Sequence, residues 1–438
     1  MEIAARIVRQ SRRLDALPLL WSRIKEHPLS RLGPGLITGV ADDDPSGIAT
    51  YSQAGAQFGF NMLWTMPLAF PLMAAVQLMC ARIGRVTGKG LAANIREAFP
   101  PVVLHGAVLL LLIANILNIA ADIAAMGETA ELVTGVDRHI MTVVFVIGTV
   151  LLQVFVPYHR YIYYLKWLTL SLLAYVAMLF TVHIPWGEVA VRTVWPKLSL
   201  DADTATVVIG IFGTTISPYL FFWQASEEVE DMQRRGDVLP LAADGASAGR
   251  ELRRIGWDTW SGMFYSDLIA YFIILATAVT LNAAGISDIE TAAEAASALR
   301  PLGGDFAFVI FALGILGVGL IGVPVLAGSG SYALCEAMGW KWGLERPLSD
   351  ARAFYGVIAV SVIAALVIQF SPLNPMKALF WSAVINGIVA VPLMTVIMVL
   401  SSRKSVMGRY TAPWPIATLG WIATIAMGAA ALGMLVLQ

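Results

Sequence analysis

Three consecutive acids, Asp42–Asp44, lie inside an otherwise apolar stretch and are followed directly by Pro45, Ser46 and Gly47. An ionised carboxylate is costly to bury in hydrocarbon, so an acid at such a depth faces a water-filled cavity or finds a partner. A proline and a glycine beside it break the helix, and freed backbone carbonyls are tolerated at membrane depth only where they line a site. Negative oxygens around unwound backbone predict a cation site.

A second polar break occurs in the run Gly213–Leu220. It places Thr214, Ser217 and Pro218 in the middle of another apolar segment. Two broken helices in matching positions predict an internal repeat with a binding site between the breaks. The alternative is that Pro45 and Pro218 merely kink ordinary membrane helices.

The composition is that of a polytopic all-α membrane protein. Of 438 residues, 58% are hydrophobic and 13% are charged, and the mean hydropathy is +0.73. The net charge of −1 gives no reason to expect nucleic acid, and Cys80 and Cys335 lie in apolar stretches that suggest neither a disulfide nor a metal site. The histidines form no catalytic signature. We therefore predict a protein that is not an enzyme, without a cofactor or an evident protein partner, in contact with the lipid bilayer.

Apolar windows predict eleven membrane-spanning helices, because a helix needs about 20 residues to cross a bilayer. The predicted spans are 34–56, 60–83, 103–133, 138–156, 161–183, 204–227, 257–284, 305–335, 353–371, 374–400 and 412–437. Residues 1–33 form a predicted cytosolic tail. The core, 34–400, divides into five-helix halves at about 34–183 and 204–400, and 401–438 holds the eleventh helix with the loop before it.

The basic residues predict the orientation. With the tail in the cytosol, 24 of the 29 Lys and Arg residues fall on the cytosolic side and 5 fall outside. This excess predicts a cytoplasmic N-terminus and an external C-terminus, in the cell membrane and specifically a bacterial inner membrane. An odd number of helices per half gives the halves opposite orientations, so the predicted fold is the LeuT-type inverted repeat with an additional C-terminal helix.

The same residues resemble a known family, the Nramp divalent-metal transporters. The runs Gly33–Gly35, Asp44–Thr50 and Gln53–Gly59 are similar to the first helix of that family, and Gly213–Pro218 is similar to its metal-binding sixth helix. In the family, the aspartate and asparagine of an Asp-Pro-Gly-Asn motif, a helix-six methionine and a nearby backbone carbonyl hold the ion. The resemblance implies a divalent-cation transporter in which Asp44 is the principal ligand.

Two of the family ligands are exchanged here. The asparagine falls on Gly47 and the methionine on Ser217, while Thr214 or its carbonyl supplies further oxygen. A thioether favours softer transition ions, whereas hydroxyl and carboxylate oxygens suit Mg²⁺ and Ca²⁺. A roomier, all-oxygen site fits Mg²⁺, which dehydrates reluctantly and keeps several waters. The pattern is similar to the Nramp-related magnesium transporters and predicts transport of Mg²⁺, with Mn²⁺ also accepted. Alternatively, Ser217 is a packing residue bonded to its own helix.

The resemblance also bears on proton coupling. Asp122 matches an acid on the family's proton route, but the following acid falls on Ala125 and the histidine after the helix-six proline falls on Tyr219. Two of three titratable positions are therefore absent, and tight proton coupling is not predicted. Asp122 shares one helical face with Asn115 and Asn118, and this face either lines a polar cavity or joins helices.

Further polar residues are candidates for the ion pathway. Asp267 is suited to gating or to a place beside the ion, or it forms a structural hydrogen bond. Asn386 lies near the family position of a polar residue that closes over the ion, and Glu128 either attracts cations to an outer vestibule or forms a solvated rim. Asp43, with Asp42, tunes the charge or guides entry, and at least one of three adjacent acids carries a proton or points to water.

Rival functions are a proton-coupled Mn²⁺/Fe²⁺ transporter of the ordinary Nramp type, a cation channel and an amino-acid transporter of the same fold. The carboxylate of Asp44 would repel the carboxylate of an amino acid. The paired breaks favour alternating access, with inward movement down the electrochemical gradient.

Overall fold

The computed structural model describes residues 34–156, 160, 165, 168–197, 201–236, 239–243, 245, 247–370 and 374–437. The predicted cytosolic tail, 1–33, and part of the predicted fifth span, 161–183, lie outside these residues. Throughout the described ranges the regular elements are helices. The prediction of an all-α protein is therefore confirmed.

The first predicted span is a broken helix. The helices of the first half of the chain are, in order, α1 (Pro34–Asp42), α2 (Pro45–Phe58), α3 (Thr65–Thr87), α4 (Leu91–Ala98), α5 (Pro101–Thr134), α6 (Arg138–Phe155), α7 (Leu173–Met178) and α8 (Trp186–Val194). Only two residues separate α1 from α2, so the two short helices together occupy the place of one span.

The sixth predicted span is broken in the same way, between α9 and α10. The helices of the second half are α9 (Ala202–Thr215), α10 (Pro218–Arg234), α11 (Ala248–Thr277), α12 (Ala292–Ser297), α13 (Arg300–Gly303), α14 (Ala307–Met338), α15 (Arg352–Gln369), α16 (Pro375–Ser402), α17 (Lys404–Met407) and α18 (Trp414–Leu437).

Nine helical segments in the described ranges are long and apolar enough to cross a membrane. They are α3, α5, α6, α9 continued by α10, α11 with the π-helical turn Ala278–Asn282, α14, α15, α16 and α18. These segments correspond to nine of the eleven predicted spans. The first span is absent from this set because neither α1 nor α2 is long enough alone, and the fifth lies partly outside the described residues. The chain is a multi-pass membrane protein.

The segment 228–256 separates the predicted sixth and seventh spans, and the expectation that it forms a loop is wrong. Helix α10 continues to Arg234 and α11 begins at Ala248, so the link between them shrinks to 235–247. Charged residues of this segment are paired between the two helices: an Arg254 nitrogen lies 2.9 Å from a Glu228 oxygen, and the Glu228 side chain is fully buried. Pairing allows a charged segment to remain helical and packed.

This ion pair gives a prediction for stability. The variant Arg254→Gln is expected to lower the apparent Tm in a thermal unfolding measurement in detergent, because it leaves the buried Glu228 carboxylate without its cation. Removal of one partner from a buried pair costs about 3 kcal/mol or more.

The neighbouring Arg253 provides the matched control, because its side chain is exposed. The variant Arg253→Gln is expected to change stability by no more than about 0.5 kcal/mol. The double variant Glu228→Gln with Arg254→Gln should recover part of the loss, since no charge is then left unpaired. Equal Tm values for the two arginine variants would contradict the assignment.

Helix α14 forms the wall behind the first break. It packs against α5 and α10, and its glycines allow very close approach. A Cβ atom built on Gly322 would lie 3.1 Å from the Asp44 Cβ, and one built on Gly328 would lie 2.8 Å from the Trp223 ring. Small residues are the usual means by which membrane helices come this close.

Candidate metal site

Asp44 is held firmly at the first break. It is the N-cap residue of α2, with extended backbone, and its side chain is buried. The Oδ1 atom accepts hydrogen bonds from the Ser46 hydroxyl and the Gly47 amide, each at 2.8 Å, while Oδ2 accepts one from the Asn118 side-chain amide, also at 2.8 Å. The carboxylate therefore has a fixed position and orientation.

The local sequence explains why the helix restarts at this point. Aspartate is among the preferred N-cap residues, because its carboxylate accepts the unpaired amides of the first turn. Pro45 occupies the first helical position, where its missing N–H costs nothing and its fixed φ suits the helix. The chain thus places a carboxylate at a helix N-terminus within the membrane region.

The second break places Ser217 between α9 and α10. Its hydroxyl lies within donating distance of the Gly213 and Thr214 carbonyls, at 2.9 and 2.6 Å. This is the geometry of the alternative in which Ser217 is bonded to its own helix. A donated proton leaves the lone pairs of the hydroxyl oxygen available, so the geometry is compatible with both interpretations.

The two breaks meet at Gly47 and Thr214. A Cβ atom built on Gly47 would lie 3.2 Å from the Thr214 Oγ1 atom. That hydroxyl is buried and has no hydrogen-bond partner among the described residues. A buried polar group without a partner calls for an explanation, and an ion or water is one of the usual ones. Gly47 leaves open the space that a larger side chain would fill.

Tyr219 joins the two broken helices. Its buried hydroxyl donates a 3.0 Å hydrogen bond to the carbonyl of Ala41, near the end of α1. The family has a titratable histidine at this position. In this chain the position holds Tyr219, whose hydrogen bond links α10 to α1. Movement of α1 away from α10 must break this bond.

Asn118 of α5 bonds Asp44 directly, a contact that was not predicted from the sequence. The Asn118 Oδ1 atom accepts a 2.7 Å hydrogen bond from the Ser382 hydroxyl on α16, so its amide nitrogen is turned toward Asp44. The available signal was the polar face shared with Asp122. Spacing within one helix could not show which other helix that face meets.

Asp122 lies one turn further along α5. It is fully buried, it interacts electrostatically with Asp44, and neither carboxylate oxygen has a hydrogen bond within the described part of the chain. Asn115, on the same face, donates to the Leu326 carbonyl and the Ser329 hydroxyl. Asn115 thus joins α5 to α14, whereas the lining of a polar cavity by Asp122 stays a prediction.

The remaining acids of the run face α11. The Ser266 hydroxyl lies 2.6 Å from Asp42 Oδ2 and 3.0 Å from Asp43 Oδ1. Asp267 follows Ser266 and is 7% exposed. One oxygen each of Asp42, Asp43 and Asp267 is buried without a hydrogen bond to any described residue. Asp42 and Asp43 therefore lie beside the break and contact α11.

Asn386 and Glu128 occupy different surroundings. Asn386 is buried in α16 with both amide atoms unbonded among the described residues, and the adjacent Gly387 packs directly against Gly213 of α9. Glu128 is half-buried, and its Oε1 accepts a 2.9 Å hydrogen bond from the Ala292 amide at the start of α12. A fully solvated rim is therefore not the environment of Glu128.

A cavity of about 270 Å³ lies on the side that the charge distribution assigns to the exterior. It is lined by α2 and α16 and by the segment between α11 and α12, including Ala49, Gln53, Asp288, Lys377 and Trp381. Ala49 follows Asp44 by five positions in the same helix, so the cavity approaches the site from this side.

The opposite side is closed by direct bonds. The Thr38 hydroxyl donates to Gln224 at 2.5 Å, and the Gly35 amide donates to Asp258 at 2.7 Å. Together with the Tyr219 tether, these bonds hold α1 against α10 and α11. Among the described residues, the cavity and these bonds therefore lie at opposite ends of the broken helix.

In the described part of the chain, no three His, Cys, Asp or Glu side chains converge on a possible metal position. The candidate ligands at the two breaks are the Asp44 carboxylate and neutral oxygen atoms. One carboxylate with neutral oxygens and retained waters is the kind of site Mg²⁺ uses.

Comparison with known proteins identifies related chains. The family model Nramp, described as natural resistance-associated macrophage protein-like, matches residues 35–437. The divalent metal cation transporter MntH of Acidiphilium cryptum is 27% identical over 390 residues, which are 87% of this chain and 84% of that protein.

Solved structures share the fold. A manganese transporter of Eremococcus coleocola superposes with a TM-score of 0.73 at 16% identity, covering 94% of this chain and 86% of that one. MhsT in complex with L-phenylalanine superposes with a TM-score of 0.63 at 13% identity, covering 92% and 98%. The predicted LeuT-type fold is confirmed by these likenesses.

Proposed function

The chain belongs to the Nramp family, and we propose that it carries divalent metal cations across the membrane, with Mg²⁺ as its main substrate and Mn²⁺ also accepted. The observation that carries the proposal is the meeting of the two breaks, where Gly47, whose amide bonds the Asp44 carboxylate, faces the unpaired Thr214 hydroxyl. The relative from Acidiphilium cryptum is named a divalent metal cation transporter, and the match extends over most of both chains. An enzymatic activity is no part of the proposal.

The preference for Mg²⁺ rests on the chemistry and size of the site. The residues assigned to it, Asp44, Thr214 and Ser217, offer only oxygen, and oxygen ligands suit hard cations. Gly47 and Ser217 are small, so the ion keeps part of its water shell. Mg²⁺ favours such a site, because it gives up water reluctantly and demands six oxygens in octahedral geometry.

Transport proceeds without tight proton coupling in this proposal. Ala125 cannot titrate, and the Tyr219 hydroxyl is occupied by the Ala41 carbonyl. The rival is a proton-coupled Mn²⁺/Fe²⁺ transporter, which is favoured by the unbonded carboxylate of Asp122 beside Asp44.

Alternating access provides the path. The ion enters from the outer cavity and binds between the breaks, and α1 then separates from α10 and α11 as the bonds of Thr38, Gly35 and Tyr219 open. With the N-terminus in the cytoplasm, an inside-negative potential drives a divalent cation inward. The predicted location is a bacterial inner membrane.

Uptake into liposomes tests this function. Purified protein is reconstituted, and entry of Mg²⁺, Mn²⁺ and Ca²⁺ is followed under an inside-negative potential, with protein-free liposomes as the control. The proposal expects Mg²⁺ entry that external Mn²⁺ inhibits. Entry of Mn²⁺ without any entry of Mg²⁺ would contradict it.

The contact between Gly322 and Asp44 gives a prediction for uptake. The variant Gly322→Ala is expected to lower the rate of Mg²⁺ uptake about tenfold, because a Cβ atom 3.1 Å from the Asp44 Cβ displaces the carboxylate. Gly314 is the matched control on α14, since its added Cβ meets only ordinary contacts with Ser171 and Leu172. Uptake that falls equally in both variants would point to general damage to α14.

A further inference from the structure

Three donors converge on the Asp44 carboxylate, and they are unequally shared between its two oxygens. Oδ1 accepts from the Ser46 hydroxyl and the Gly47 amide, whereas Oδ2 accepts only from Asn118. A carboxylate has about four lone-pair directions, two on each oxygen. Oδ1 is therefore saturated, and one direction on Oδ2 is left for a cation.

The two donors to Oδ1 belong to the same helical turn as Asp44. Ser46 and Gly47 follow Asp44 by two and three positions, and the contact with the Gly47 amide is the N-cap interaction of α2. Because these donors are part of α2, they stay with the carboxylate when helices move against one another. The saturation of Oδ1 is thus a local property of this turn.

The donor to Oδ2 is fixed in a different way. Asn118 comes from α5, and the Ser382 hydroxyl on α16 bonds its Oδ1 atom. All three side chains are buried. If the Asn118 amide were reversed, its oxygen would face the Asp44 carboxylate and repel it. The Ser382 hydroxyl can bond either amide atom, so the carboxylate sets the observed orientation.

We propose that Ser46 sets the ion selectivity of the transporter by restricting Asp44 to coordination through a single oxygen. The inference rests on the proposed function. Mg²⁺ needs only one oxygen from such a carboxylate in its octahedral shell, whereas Ca²⁺ takes six to eight oxygens and often binds a carboxylate through both. With Oδ1 occupied, Ca²⁺ loses a ligand at this site and Mg²⁺ loses none.

The variant Ser46→Ala tests the proposal, since it removes one donor from Oδ1 and keeps the Gly47 N-cap bond. Mg²⁺ uptake into liposomes is measured with Ca²⁺ as the competitor. The ratio of the Ca²⁺ inhibition constant to the KM for Mg²⁺ is expected to fall about tenfold, equivalent to about 1.4 kcal/mol. The variant Ser46→Thr, which restores a hydroxyl, is expected to return the ratio toward that of the unmodified protein.

Ser52 provides the matched control, because it is a buried serine on α2 whose hydroxyl does not bond Asp44. The variant Ser52→Ala should leave the ratio unchanged. An unchanged ratio in Ser46→Ala, with Mg²⁺ uptake intact, would overturn the role of Ser46 and leave the proposed function standing. Absence of uptake by the unmodified protein would instead overturn the proposed function.

A direct structural readout covers the case in which Ser46→Ala does not fold. The unmodified protein is crystallised with Mn²⁺, and anomalous scattering locates the ion. Coordination by Asp44 through Oδ2 alone is the expected result. Coordination through both oxygens, or through Oδ1, would overturn the proposal.

Discussion

Replacing Asp44 by asparagine is expected to abolish uptake of Mg²⁺ and Mn²⁺ while the protein remains folded. The carboxylate is the charged ligand at the breaks, and an uncharged amide loses most of the attraction for a divalent cation in a site that excludes bulk water. We expect initial uptake rates to fall by about a hundredfold or more. Asparagine is as good an N-cap residue as aspartate, so α2 should still begin at Pro45.

The control for this variant is Asp203→Asn, which removes an exposed carboxylate from the first turn of α9. It should transport at the normal rate, and thermal unfolding should show both variants folded. Normal uptake by Asp44→Asn would remove Asp44 from the ligand set, and a large loss in Asp203→Asn would show that overall charge is responsible.

Replacing Thr214 by valine is expected to change uptake and stability in opposite directions. Valine keeps the shape of threonine but removes the unpaired hydroxyl, so the KM for Mg²⁺ should rise about tenfold through the loss of one oxygen near the ion. The apparent Tm should stay the same or rise, because a buried polar group without a partner costs about 1 kcal/mol or more.

Thr206 is the matched control on the same helix, since its hydroxyl donates to the Ala202 carbonyl away from the breaks. The variant Thr206→Val should leave the KM unchanged. If Thr214→Val lowered the Tm and left the KM unchanged, the hydroxyl would have a structural partner and no place in the ion site.

Much of the fold could be predicted from the sequence, because lipid imposes a simple requirement. Each spanning helix needs a long apolar window, and the helices α3, α14 and α16 fall where such windows are. The segment 228–256 was not predicted to be helical, because its hydropathy is low. Glu228 and Arg254 lower the local hydropathy, but they bury their charges against each other, and a window of hydropathy cannot recognise pairing between two helices.

The site was partly accessible to sequence analysis. Asp44 before Pro45 indicates a helix start, and the paired breaks indicate that Gly47 and Thr214 lie near each other. The bond from Asn118 to Asp44 and the bond from Tyr219 to Ala41 were not predicted. Both depend on the distance between helices that are far apart in sequence, and nothing within either helix determines that distance.

The central claim is that the two breaks hold a hydrated divalent cation that crosses without a proton. It is tested most directly in liposomes that enclose both a Mg²⁺-sensitive dye and a pH-sensitive dye, under an inside-negative potential. We expect Mg²⁺ to enter through the unmodified protein with no matching acidification, and entry to disappear in Asp44→Asn. Entry of Mn²⁺ alone, with internal acidification in proportion to it, would contradict the claim.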